Sequence, residues 1–426
     1  MTSQSKIEGS AGRKKVVILG GGPGGLTIGK FLREDPRLEV VVLEKEGRIG
    51  GRCLSVSYSD HIVEFGTCYA VFAHRRLLKW MRRNKIKLRR IKTQLMDGEV
   101  VMRYVRGGDG APLVVQAIRY LLKRRGLMRR LERGDRAAAV EASRPAAEWL
   151  RENKLYKIER LMHRVVTTLG YGYLSEVPLL HALRWVNFDM FLTGIFDYLI
   201  MPVCGWERFW QLYASDLTVR LGFEAMSIER GVQGVSVIGS NGDVVEGDIL
   251  INTLALDEFA KLAEPTHDEQ AIAESVGWGR YALTLIAAEK WFDDADVYSW
   301  TASAVSPDTI GGIFVARREI HDPEMGGDLF SIGQAGGPYS DEELGEILLA
   351  DAIRHGATSP RVVRQVLWRY APTYNREALA NGLLATMRAV QGPLKTFHTG
   401  SSFSHEAVSH ITEFNVDLAK QIRATL

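Results

Sequence analysis

Gly20, Gly22 and Gly25 stand between a short apolar run, Lys14–Leu19, and a segment in which Leu26, Ile28, Phe31 and Leu32 alternate with Lys30, Arg33 and Glu34. Glycines at this spacing suit phosphate chemistry. Gly20 permits a tight turn, Gly22 lets backbone approach a pyrophosphate, and Gly25 allows close packing of helix on strand. The helix that follows supplies N–H groups and a partial positive charge to the phosphates. A second apolar run, Glu39–Leu43, ends on Glu44, 19 residues after Gly25. A carboxylate there is placed to accept hydrogen bonds from ribose hydroxyls. Strand, turn, helix, strand and acid in register predict a dinucleotide site, and the motif alone does not separate NAD from FAD.

The residues behind Glu44 narrow the choice. Glu44-Lys45-Glu46-Gly47-Arg48-Ile49-Gly50-Gly51-Arg52 resembles the arginine-plus-glycine-doublet signature of the flavin amine oxidase superfamily. Val63-Glu64-Phe65-Gly66 resembles the acidic step that leads the next strand past the isoalloxazine ring. The resemblance implies FAD, with Arg48, Gly50, Gly51, Arg52, Glu64 and Gly66 on the cofactor. Near the C-terminus, Leu394–Gly400 reads as a strand ending in glycine, followed by a helix beginning near His405. Relatives end in the same way, with the helix N-terminus aimed at the flavin pyrimidine. Gly400, Ala407 and Val408 are therefore assigned to FAD, as is Ala225. Ser401 follows Gly400 where many relatives carry an acid. This segment holds no cysteine, so noncovalent FAD is expected. Gly333–Gly337 lacks the strand–helix context of a second dinucleotide loop, which argues against a separate NAD(P)H domain.

Within the superfamily, Lys87–Arg90 with Asp97–Val100, Leu169–Tyr173, and Trp368–Pro372 leading to Thr396–Gly400 resemble the polyunsaturated fatty acid double-bond isomerases. That resemblance implies a redox-neutral isomerisation, with hydride taken from an allylic carbon and returned elsewhere. It puts Arg90 in the place of the carboxylate anchor and Gly194 in the place of an aromatic clamp, so Phe191 and Phe196 are the candidates to replace the clamp. Tyr171 joins them as a substrate contact. An amine or amino-acid oxidase is the alternative. Many amine oxidases carry a lysine beside the flavin on the strand read here as Tyr281–Ala288, which has none, and Thr284 falls near its place. A flavin-binding protein without turnover is the third reading. No catalytic acid or base stands out, as expected if hydride transfer needs mainly orientation and an electrostatic sink.

These residues must be positioned by an α/β architecture. The expected arrangement is a discontinuous Rossmann-type FAD-binding domain (14–75, 205–260 and 390–426), an α+β substrate domain (76–110 and 261–389) and a helical cap (111–204). Val235, Val237 and Val244 flank a Ser240–Asp243 hairpin turn. Asp248–Asn252 reads as a buried parallel strand. Tyr281–Ala288, Gly311–Val315 and Leu329–Gly333 are strands of a second sheet. Leu344–His355, Ser359–Leu367 and Asn415–Ala424 read as helices.

With 46% apolar and 25% charged residues over 426 positions, the chain is neither disordered nor a disulfide scaffold. Cys53, Cys68 and Cys204 have no metal spacing, and His405 and His410 lie five apart, so no metal is expected. No secretory leader or membrane span is read, and a cytoplasmic location is the expectation. The formal charge is only +3, but Arg75–Arg136 carries 20 Lys/Arg against 5 Asp/Glu. That block is a net +15, leaving −12 for the rest of the chain. It suits a hydrophobic or anionic small-molecule substrate or peripheral contact with a membrane surface. No nucleic-acid-binding pattern accompanies it. The sequence leaves the oligomeric state open.

Overall fold

The structure, a computed structural model, describes residues 12–196, 198–322 and 324–426. Val16–Leu19 is buried on both faces, which is the environment of a central parallel strand. Lys14–Leu19 lies between Leu38–Leu43 and Ile249–Asn252 in a five-stranded parallel sheet. Thr218–Arg220 and Thr396–His398 form its edges. The five strands come from widely separated parts of the chain, so the sheet is discontinuous as the sequence predicts.

Alternation along the strands splits their side chains between two cores. Val16, Ile18, Val40 and Val42 pack with Ile28 and Leu32 of the helix Pro23–Arg33 and with Leu418 and Ile422 of the C-terminal helix Val408–Ala424. Val17, Leu19, Val41 and Leu43 face the other way, into the largest core. An antiparallel meander (Ala225–Arg230, Val235–Gly239, Val244–Gly247) contributes Val237 and Val245 to that core. Its second turn is the expected one at Ser240–Asp243.

A seven-stranded sheet stands beyond this unit. Its order is Arg361–Tyr374, Val276–Ala288, Gly327–Ala335, Ile313–Asp322, Val297–Ser299, Gln94–Met96 and Glu99–Val100. Helices between Val101 and Phe196 cover one side. No helix among the described residues is long and apolar enough to cross a membrane.

Two elements differ from the sequence reading. Ser359–Leu367 was expected as a helix, but Arg361–Tyr374 is a strand paired along its length with Val276–Ala288. Its valines at 362, 363 and 366 mimic helical spacing, yet β-branched side chains fit a pleated surface better. The terminal helix begins at Val408 rather than near His405, because Phe403 and Ser404 donate to the Gly400 carbonyl in a tight turn.

Candidate functional site

The glycine loop builds one wall of a cleft of about 760 Å³. Gly20 has φ +97°, open to glycine at little cost. A Cβ on Gly25 would lie 2.0 Å from the Gly20 carbonyl oxygen, so the helix Pro23–Arg33 approaches the strand only because Gly25 has no side chain. Gly20, Gly22 and Gly24 line the cleft directly, while Gly25 sits behind it. Glu44 is buried at the cleft, its carboxylate accepting from Gly21 N at 2.6 Å and Glu46 N at 2.9 Å. Arg48 donates to the Gly51 carbonyl at 2.7 Å. Gly50 donates to the Gly21 carbonyl and supports the loop without lining it.

Gly400, with φ +96°, packs against the glycine loop, its Cα 3.5 Å from where a Cβ on Gly24 would stand, and Ala225 is also in the lining of the cleft. Arg52 donates to the Arg369 carbonyl at 2.7 Å and pairs with Glu406 at 3.0 Å. Its guanidinium also lies 5.4 Å from the Tyr370 ring centre.

A second cavity, of about 210 Å³, adjoins the first. Thr67, Trp368, Tyr370, Glu406 and Val408 line both spaces and form the wall between them. From there the floor runs across the seven-stranded sheet, using residues two apart on each strand. These are Trp368 and Tyr370, Tyr281 and Leu283, Ser331 and Gly333, and then Val315 and Arg317. The two-residue period puts each pair on one face of the sheet. Three strand spacings separate Trp368 from Arg317, about 14 Å at roughly 4.8 Å each. Opposite the floor, Met190, Thr193 and Gly194 of the helix Phe188–Phe196 form the roof.

Burial sets the protonation states in this cavity. It pushes His74 down to about 4 and His405 well below its ordinary value, leaving both imidazoles neutral at pH 7. It pushes the phenols of Tyr171, Tyr281 and Tyr370 and the Cys68 thiol upward, so all stay protonated. Arg317 is paired with one carboxylate. It donates to Glu319 at 2.7 Å, and Glu319, held near 2 by the guanidinium beside it, also accepts from Ser331 and meets His61. The cavity is thus a largely apolar chamber with few groups that exchange protons near neutrality.

The predicted site residues separate into groups. Gly20, Gly22, Glu44, Arg48, Gly51, Arg52, Ala225, Gly400 and Val408 meet at the cleft. Gly66 and Ala407 line the adjoining cavity. Glu64 lines neither space. Its buried carboxylate accepts from Trp206 N at 2.8 Å and Ser55 Oγ at 2.8 Å, and burial raises it to about 7. Tyr171 lines the cavity, its hydroxyl accepting from Glu406 N at 2.7 Å.

Arg90, Phe191 and Phe196 do not line the cavity. Arg90 is exposed, 3.4 Å from the Phe196 carbonyl and 5.7 Å over the Tyr198 ring. Phe191 faces a separate surface cleft, and Phe196 is exposed. Glu406 was missed by sequence reasoning; an acid in the C-terminal segment was expected only directly after Gly400.

Residues 23–372 match the flavin containing amine oxidoreductases. The chain belongs to that family. Its cofactor is FAD and it is an enzyme, an oxidoreductase or isomerase. The cleft fits the cofactor. The helices Pro23–Arg33 and Val408–Ala424 both start at residues lining it, and neither has a side-chain cap on its first N–H groups. Uncapped helix starts of this kind bind anionic groups. When bound, FAD supplies a two-electron hydride acceptor.

The fold is shared with the CLA-producing fatty acid isomerase from P. acnes, at 19% identity and TM-score 0.81 over 96% of this chain and 98% of that one. Putrescine oxidase bound to putrescine matches at 15% identity and TM-score 0.72, covering 97% and 99%. Cyclohexylamine oxidase from Brevibacterium oxydans IH-35A matches at 15% and 0.67, covering 96% and 100%. No curated protein matches the sequence.

Proposed function

We propose that this flavoenzyme takes hydride from a C–H bond of a largely apolar, carboxylate-bearing substrate, acting as a double-bond isomerase or dehydrogenase. The cavity against the cofactor cleft carries the proposal. It is elongated, walled by aromatic and aliphatic side chains, and no lysine is among its described lining residues. Hydride transfer from carbon needs such a wall to fix the chain over the acceptor and few proton-transfer groups. The fold shared with a fatty acid isomerase supports the same reading.

Arg90 is the proposed anchor for the carboxylate. Arg317 is less suited, because Glu319 already balances its charge. Arg90 stands just outside the cavity, paired with Ile200, whose neighbour Leu199 is in the lining. Tyr198 lies beneath its guanidinium and stacks on Phe72 at 4.2 Å, and Phe72 meets Phe196 edge-on at 6.4 Å. A carboxylate held there leaves the chain to run inward over the sheet. FAD is held noncovalently on this reading. Cys53 lines the cleft, but burial pushes its thiol up to about 12, which removes its nucleophilic form.

One observation favours amine oxidation as a second reading. Glu406 presents a buried carboxylate oxygen without a partner at the end of the cavity nearest the cofactor, and an ammonium group would satisfy it. Anaerobic mixing with long-chain unsaturated carboxylates and with apolar amines separates the two. Product without lasting loss of flavin absorbance marks isomerisation, and lasting bleaching by the acid marks dehydrogenation. Bleaching by the amine alone overturns the proposal. Arg90→Ala should weaken carboxylate binding by tenfold or more, the value of a lost charged hydrogen bond of about 1.5–3 kcal/mol. Unchanged affinity removes Arg90 from the role.

A further inference from the structure

The helix Leu113–Glu132 buries Gln116, Ala117, Tyr120, Leu127 and Leu131 and turns a different stripe outward. Val114, Ile118 and Leu122, four residues apart, are 63%, 56% and 65% exposed. Phe188 and Phe196, at the two ends of a neighbouring helix, are 54% and 59% exposed. Between the two helices lies a surface cleft of about 750 Å³, lined by Val114, Ile118, Leu121, Phe188, Leu192 and Ile195 among others. Single exposed apolar residues are ordinary, but a contiguous group around one cleft marks an interaction surface.

The charges around it are mostly basic, and Asp189, the acid beside Phe188, is already paired with Arg75. Between Val100 and Leu131 the chain carries eight Lys/Arg and one acid, Asp109. Arg103, Arg106, Lys123 and Arg125 make no ion pair among the described residues, and Arg106 itself lines the cleft. Lys123 and Arg125 flank Leu122 on the exposed side of the helix.

We propose that this face docks on an anionic phospholipid surface, with Val114, Ile118, Leu122 and Phe188 entering the acyl boundary and Arg106, Lys123 and Arg125 meeting headgroup phosphates. An apolar stripe flanked by Lys and Arg is the pattern of a helix lying in the membrane interface. A second copy of the chain fits less well, because two-fold pairing sets this basic surface against itself. Docking also gives the cleft a purpose. The helix Phe188–Phe196 faces the surface cleft with Phe188, Leu192 and Ile195, and the cofactor-side cavity with Met190, Thr193 and Gly194. One helix therefore separates bilayer from reaction chamber. If the substrate is the apolar carboxylate proposed above, it reaches the enzyme from the lipid phase; docking itself holds for either substrate class.

The test is co-sedimentation of the FAD-loaded enzyme with vesicles of phosphatidylcholine alone and of phosphatidylcholine mixed with phosphatidylserine. Binding to the mixed vesicles that weakens with salt is expected. Ile118→Glu with Leu122→Glu should lower it at least tenfold while the flavin spectrum and thermal midpoint stay unchanged. Lys123→Gln with Arg125→Gln should lower it about 25-fold, from about fivefold per charge. Equal partitioning onto both vesicle types, or none onto either, overturns the proposal. So does loss of a dimer on the Ile118 and Leu122 substitutions, which assigns the face to a second copy.

Discussion

Arg52 and Glu406 act as one unit at the wall between the cofactor cleft and the adjoining cavity. Burial raises the Glu406 carboxyl, and the Arg52 guanidinium at 3.0 Å works against that rise. Removing Arg52 leaves a buried carboxylate without its cation. Loss of one partner costs about 3–5 kcal/mol in a fully buried pair and less where one partner is partly wet, as Arg52 is. Arg52→Ala should therefore weaken FAD binding by tenfold or more, followed by flavin fluorescence on titration of the apoprotein. Glu406→Gln should have the smaller effect, because it removes the stranded charge along with the pair. Equal FAD affinity in Arg52→Ala and the parent would separate this pair from the cradle. The sequence shows Ser401 after Gly400 and no acid there. Linear spacing does not reveal that the turn after Gly400 folds back and brings Glu406 to the cleft. Glu64 shows the converse. It stands in register with the cofactor motif, yet its carboxylate is consumed by Trp206 N and Ser55, partners that only tertiary folding supplies.

At the level of elements, what could be read from the sequence followed the range of the interactions. The glycine turn, the helix behind it and the buried strand Ile249–Asn252 are set by neighbours in the chain, and all were legible. Arg361–Tyr374 was not. Its apolar positions fit either period, and only pairing with Val276–Ala288, some eighty residues earlier, makes it a strand. The cavity floor depends on that pairing, since Trp368 and Tyr370 lie on it. Another long-range junction holds the edge of the cofactor sheet. Glu269 caps its own helix by accepting from Thr266 N at 2.8 Å, pairs with Arg230 at 2.5 Å and accepts from His398 Nε2 at 2.8 Å. These bonds hold its carboxyl far below the usual range against the opposing effect of burial. Glu269→Ala strands the buried Arg230, so a loss of about 3–5 kcal/mol is expected. The urea midpoint should fall with little change in slope. A loss under about 1 kcal/mol, the ordinary value of one neutral hydrogen bond, would mean that the junction carries no more than a surface contact.

For the whole molecule, buried histidines set the response to acid. His74, His181 and His410 are pushed down to about 4, 3 and 4, and His405 further, in each case chiefly because burial penalises the imidazolium. They stand where the helical region, the C-terminal helix and the cavity meet. His405 is sandwiched between Tyr171 and Trp185, at 4.5 and 5.0 Å, and lies 4.8 Å from His410. A folded pKa below the unfolded one means that the unfolded chain takes up more protons. The stability these groups contribute is therefore complete above about 6.5 and is lost as pH falls toward 4. Each adds up to about 1.4 kcal/mol per pH unit over that window. Glu64, raised to about 7, and Glu406, also raised, act in the opposite direction, since the folded state holds their protons more tightly. These four histidines, joined by His163, His355 and His398, which burial also lowers, outweigh the two carboxylates and leave a net fall in stability from pH 6.5 to 4. Below about 4.5 it steepens as Glu319 and Glu269, both held low, begin to lose their ionised partnerships. The urea midpoint measured at half-unit steps from pH 8 to 4 should be level at first and then drop. His410→Gln keeps a donor for the Arg184 carbonyl now bonded at 2.8 Å and removes one titration, so its curve should fall less steeply by about one proton. A parent profile that stays level down to pH 4.5 would show that these imidazoles reach water before the chain unfolds. The joint between helical region and cofactor unit would then open locally in acid, ahead of global unfolding.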